Sequence, residues 1–261
     1  MAVAATTEPA RSDSPRVNEI SLEQPWEWVS KGWEDLKRAP KFSLTYGAFF
    51  ALVSLLMTLG LLVEGLFFIV PALAAGFFLV APLLGIGLYQ ISENLEEGKQ
   101  VQFCQALEAW KRNEVQLGAM AVVLVLVLLA WMLSALVVFA LFFHSPVPTW
   151  ENFVPQVFLS GENNLFVAAG IIVGAAIAAF TFSISAITVP MLMDRQVDVV
   201  IAMRTSMEAV KKNWQAMTLW AALIVMFVGL GIVTYYVGLI VAMPLVGHAT
   251  WHAYRDLVPR D

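Results

Sequence analysis

The side chains best suited to chemistry lie near the C-terminus. His248 and His252 are four residues apart, a spacing that places both imidazoles on one face of a helix, as in many metal sites. Asp256 continues that face and would be a third ligand. The opposing reading places the histidines at a water boundary beside Trp251, Tyr254 and Arg255, bonded only to water or headgroups. No cysteine or glutamate cluster accompanies them, which favours the boundary reading. A haem needs axial ligands from both sides, and two histidines on one helix cannot supply them. Met191, Met193 and Met243 offer thioethers, but methionine in apolar stretches is mostly packing, and His144 falls at the opposite end of the bundle. No cofactor is therefore expected, with a metal or haem carrier using His248 and His252 as the alternative.

Other constellations are missing. There is no nucleophile elbow and no phosphate-cradling glycine loop. The single cysteine, Cys104, excludes a disulfide framework and a CxxC site within one chain. Thr181, Ser183, Ser185 and Thr188 cluster in one apolar stretch, where hydroxyls usually bond their own backbone or a neighbouring helix. Proton relays place ionisable groups inside the bundle. Here Glu64 comes closest, and it falls at a turn. The chain is read as a non-enzyme.

The elements that hold these residues are membrane spans. The 261 residues are 59% hydrophobic and 13% charged, against about a quarter charged in a soluble domain. The apolar runs reach the roughly 20 residues needed to cross about 30 Å of hydrocarbon. They lack the alternation of a β-barrel. All 15 Lys and Arg fall in four blocks, Arg11 to Lys41, Lys99 to Arg112, Arg195 to Lys212 and Arg255 to Arg260. The positive-inside rule then gives six spans with both termini in the cytoplasm. No basic patch is rich enough for nucleic acid. The expected partners are anionic lipid headgroups and a membrane-protein complex.

The spans are expected at about 42–63, 66–91, 117–143 and 165–193, with two more in the 36-residue stretch Trp214 to Ala249, turning near Gly229-Leu230-Gly231. Glu64-Gly65 and His144 to Asn163 form the outer turns. Residues 1–20 are expected to be a disordered cytoplasmic tail, with no signal peptide. Gly170 and Gly174 form a small-residue packing face.

Three cytoplasmic segments share an ending: Trp33-Glu34-Asp35-Leu36-Lys37-Arg38, Leu107-Glu108-Ala109-Trp110-Lys111-Arg112 and Met207-Glu208-Ala209-Val210-Lys211-Lys212. Pro82, Pro190 and Pro244 recur near the inner ends of the even spans. The chain therefore reads as an all-α integral membrane protein. It forms three parallel repeats, 21–98, 99–198 and 199–261, each an interfacial helix followed by a transmembrane hairpin. In the first interfacial helix Ser21 and Gln24 suit a capping box and Pro25 the first turn. Trp26, Val29, Trp33 and Leu36 line its apolar face, with Glu34 and Asp35 off it. Trp26, Trp33, Trp110, Trp214 and Trp251 are the expected interface anchors.

Pro25-Trp26-Glu27-Trp28 with Gly32-Trp33, Val189-Pro190-Met191-Leu192 through Asp194 and Asp198-Val199 to Thr205-Ser206, and Gly247-His248-Ala249-Thr250-Trp251-His252 with Tyr254-Arg255-Asp256 together resemble a bacterial membrane-protein family, domain of unknown function 2189. The resemblance covers nearly all of the chain after the first twenty residues. It implies a bacterial inner-membrane location and carries over no activity and no functional residue. Some relatives are labelled as similar to cytochrome oxidase subunit I, but three histidines are too few for haem and copper ligation there. What the label implies is a partnership with respiratory complexes. The expected function is that of a non-catalytic accessory, assembly or scaffold subunit, the alternative being a small-solute transporter or channel-like protein built on the proline-broken repeats.

Overall fold

A computed structural model describes residues 15–144 and 152–260. Every regular element among them is helical. Helix α1 (Gln24–Arg38) begins with proline in its first turn and ends on Lys37 and Arg38, whose charges favour the negative end of the helix dipole. No side chain caps it. Glu23 is the N-cap, and Gln24 bonds Glu27 and Asp256 in place of closing a capping box on Ser21. After Ala39 alone, α2 (Pro40–Val63) starts on a second proline.

The chain returns through α3 (Val70–Leu84) and α4 (Ile86–Glu96), broken at Gly85. Pro82 lacks the N–H that would continue the helix ladder, and Gly85 N donates to both Ala81 O and Pro82 O. A short α5 (Phe103–Glu108) and a 3-10 turn, Ala109–Asn113, lead into α6 (Glu114–Phe142). The return is again divided, into α7 (Asn164–Ser185) and α8 (Thr188–Asp194), which contains Pro190. Asp198 caps α9 (Val199–Lys212), accepting from Val200 N at 2.7 Å. Helices α10 (Trp214–Val233) and α11 (Leu239–Leu257) complete the chain.

Five of these segments are long and apolar enough to cross a membrane: Pro40–Val63, Val70–Glu96, Phe103–Phe142, Asn164–Asp194 and Trp214–Val233. Helix α11 is not among them, so five candidate spans stand where six were expected. The last hairpin turns at 234–238, beyond the expected Gly229–Gly231. Tyr235 and Tyr236 take positive φ there, and Thr234 Oγ1 accepts from Gly238 N at 3.0 Å. Gly229 and Gly231 remain inside α10, with Gly231 lying against Leu239.

The tail expectation also needs correction in part. Residues 1–14 lie outside the described residues, but 17–20 are held in place. Asn18 N donates to Leu257 O, Ile20 N to the Asn213 side chain, and Lys212 Nζ to Val17 O. In the outer loop, 145–151 lie outside the described residues.

The helices form two groups. Helix α11 packs with α1, α2 and α10, while α3, α6 and α7 pack together. Glycine sets the first seam. A Cβ on Gly47 would come within 2.3 Å of Ile240 O, and one on Gly32 within 2.8 Å of Ala249 N. In the second group Trp131 fills the space above Gly76 and Gly174 and donates to Ala72 O at 2.8 Å. Phe77 and Phe78 bridge the groups, reaching the cluster of Ala51, Val228 and Leu239. Large apolar side chains of α2, α6 and α7, such as Leu56, Leu129 and Ile172, face outward, as expected in a lipid solvent.

Candidate functional site

The polar side chains of the bundle gather at the end that carries the lysines and arginines, around the last turns of α11. His248 is fully buried. Its Nε2 lies 2.8 Å from Ser43 Oγ of α2 and its Nδ1 lies 2.8 Å from Ser92 Oγ of α4. One ring nitrogen donates to a serine and the other accepts from the second serine's hydroxyl, so a neutral imidazole satisfies all three groups. His252 Nε2 meets Asp35 of α1 at 2.8 Å. Asp256 accepts from Trp28 Nε1 and Gln24 Nε2, each at 2.8 Å, and pairs with Lys31.

The rest of the helix continues the pattern. Trp251 Nε1 and Arg255 Nε donate to Glu96. Tyr254 donates to Asp194 at 2.6 Å and accepts from Arg195 Nε. Arg260 also donates to Asp194. That carboxylate raises the Arg260 pKa, and the Lys99 ammonium beside Glu97 lowers the Glu97 pKa. Burying charge is costly unless partners surround it. Here α1, α2, α4 and α8 each supply one or more.

A polar recess of about 360 Å³ lies beside this network. Gln90, Glu93 and Asn94 line it from one face of α4, and Arg112 donates to Gln90 and Glu93 across it. Gln90 also donates to Glu93 and Asn94, and Asn94 to Gln105. Glu93 is 3% exposed. A sequence reading that places the span's end at Ile91 leaves Glu93 in solvent. The signal for its inward side was the i, i+3, i+4 spacing of Gln90, Glu93 and Asn94.

The three proposed metal ligands stay separate. His248 bonds α2 and α4 through serines on both ring nitrogens, whereas His252 and Asp256 bond different side chains of α1. No group of three or more His, Cys, Asp or Glu suited to a metal occurs among the described residues. Trp26, Trp33, Trp110 and Trp214 are exposed, but Trp251, expected beside them as an interface anchor, is fully buried. Its indole N–H needs Glu96, and Tyr254 covers its ring. Asp35, expected on the solvent side of α1, is buried as the partner of His252. Thr181, Ser183, Ser185 and Thr188 each donate to the carbonyl four residues earlier. Gly174 packs on Trp131, whereas Gly170 faces open space.

Residues 69–194, just under half of the chain, match the family described as a predicted integral membrane protein, domain of unknown function 2189. The match covers α3 to α8, a shorter span than the resemblance implied. It includes Glu93, Glu96 and Asp194 but not α1 or α11. No curated protein and no solved structure matches the chain.

Proposed function

We propose that this integral membrane protein, which matches domain of unknown function 2189 over α3 to α8, is a non-catalytic accessory, assembly or scaffold subunit of a bacterial inner-membrane complex. One observation carries the reading. The side chains best equipped for chemistry are engaged in joining helices: His248 ties α11 to α2 and α4, His252 and Asp256 tie it to α1, and Tyr254 ties it to α8. Such a bundle presents a fixed shape, in which these particular groups hold helices together.

The same reading takes α11 as a sixth span, with three parallel units and both termini in the cytoplasm. Burial supports the repeat. At equivalent places in the shared ending, Gly32, Ala106 and Ser206 are buried, as are Asp35, Ala109 and Ala209. The two positions between them are exposed in all three segments. A small residue before an exposed apolar-Glu pair lets each segment lie flat on the bundle with Trp33, Leu107 or Met207 turned outward. Such outward residues suit a headgroup layer.

Native purification in mild detergent with mass spectrometry tests the scaffold reading. The expected result is a stoichiometric membrane-protein partner. A chain that always runs alone counts against it.

A further inference from the structure

Two helix groups meet around a cavity of about 80 Å³. Phe78, Pro82 and Tyr89 line it from the broken return of α3 and α4, Ser185 from α7, Trp220 from α10 and Met243 from α11. Its walls are mainly hydrocarbon. Their hydroxyls at Ser185 and Thr250 donate to the Thr181 and Val246 carbonyls of their own helices.

The buried tryptophans and tyrosines single this cavity out. Five are buried among the described residues: Trp28, Tyr89, Trp220, Trp251 and Tyr254. Three of them donate to carboxylates, Trp28 to Asp256, Trp251 to Glu96 and Tyr254 to Asp194. Tyr89 and Trp220 have no hydrogen-bond partner among the described residues, although they are only 2% and 1% exposed. Both line the cavity. Donors of buried residues in native proteins are nearly always paired, so two such residues with unpaired donors in the wall of one cavity point to an acceptor that occupies it. Gly85 helps to shape that space, because a Cβ there would come within 2.6 Å of Tyr89 Oη. Pro82 opens the helix at the same place.

We infer that this cavity binds an apolar, lipid-class molecule through an oxygen acceptor, an ester or ketone carbonyl held by Tyr89 O–H and Trp220 Nε1–H with its hydrocarbon against Phe78 and Met243. The inference rests on the membrane location but not on the scaffold role, since a chain that runs alone can still hold the ligand. A cavity of this size holds only part of a lipid, the carbonyl and the hydrocarbon next to it. Two sources share this chemistry: the acyl ester of a bulk phospholipid and a separate apolar carbonyl compound of the membrane.

The test uses the full chain in nanodiscs of phosphatidylethanolamine and phosphatidylglycerol with brominated acyl chains, together with organic extraction of the detergent-purified protein and mass spectrometry. Trp220 is the built-in reporter. Its emission is the difference between wild type and Trp220→Phe, and contact with bromine quenches it. A phospholipid occupant quenches that component. A separate carbonyl compound leaves it bright and appears in the extract at about one molecule per chain. Either result supports the inference.

Tyr89→Phe keeps the ring and removes the hydroxyl, so retention of the occupant should fall about five-fold, as for loss of one ordinary hydrogen bond. Ala186→Phe, which adds a ring to the cavity wall, should abolish retention. An unquenched Trp220 with no molecule in the extract overturns the inference and leaves the cavity to water. Unchanged retention in Tyr89→Phe, the variant expected to fold normally, also overturns it.

Discussion

Gly47→Ala and Gly60→Ala place the same methyl group at two positions of one helix, and the structure gives them opposite outcomes. At Gly60 nothing lies within 4 Å of the added carbon. Alanine there gains up to about 1 kcal/mol of helix propensity. At Gly47 the added carbon falls 2.3 Å from Ile240 O and 3.0 Å from Ile240 Cα, against 3.4–4 Å in ordinary contact. Both obstacles are backbone, so no rotamer change relieves them, and α2 and α11 must separate by about 1 Å. Ser43 lies one turn before Gly47 on the same face of α2, and its hydroxyl meets His248 at 2.8 Å. A shift of that size takes the pair towards the limit of hydrogen bonding. Overpacking of a tight core costs about 1–3 kcal/mol, which outweighs the propensity gain. Full-length variants in mild detergent, heated and then scored for monodispersity by size exclusion, should therefore rank Gly60→Ala at or above wild type and Gly47→Ala several degrees below. A Gly47→Ala protein that melts with Gly60→Ala would refute the close α2–α11 approach, and with it the central position of α11.

Other perturbations probe the network and the topology. Asp256→Ala leaves the buried Trp28 N–H without an acceptor and should cost about 1–3 kcal/mol in the same melt. Asp256→Asn keeps an acceptor oxygen and should cost clearly less, so equal losses would count against the bond. Metal analysis of a His248→Ala, His252→Ala double variant should match wild type, because the histidines face serines and Asp35; a fall in metal content would revive the carrier reading. A periplasm-active reporter fused near Ser160 should be active and one fused after Asp261 silent, and the reverse pattern would overturn the six-span layout.

Sequence pattern was most informative where lipid is the neighbour. Four apolar runs ending at Val63, Ile91, Phe143 and Met193 lie close to the observed α2, α3–α4, α6 and α7–α8, because hydrocarbon demands the same composition around the whole helix. It was weakest where protein is the neighbour. Trp28 and Trp33 read alike in sequence, yet Trp28 packs edge-on against Trp220 and Trp33 is exposed. Gly32 decides between them by letting α1 settle against Leu245 O and Ala249 N, a contact between residues more than two hundred positions apart. Asp35 and Glu93 are buried for the same reason. An acid near a span end normally faces water, and only the position of His252 or Arg112 shows otherwise.

The same distinction explains why α11 is more polar than the five candidate spans. A helix on the outside of a membrane bundle must be apolar wherever it meets lipid. One enclosed by α1, α2, α4, α8 and α10 meets side chains instead, and can carry His248, His252, Arg255 and Asp256 if each finds a partner. Its low hydropathy and its central position therefore have one cause. Helix α7 is the opposite case, with its spanning window only 6% buried against 33% in α10, and its hydroxyls turned back onto their own backbone. In this bundle the polar helix is the internal one, and the chemistry suggested by its histidines is used to hold that helix in place.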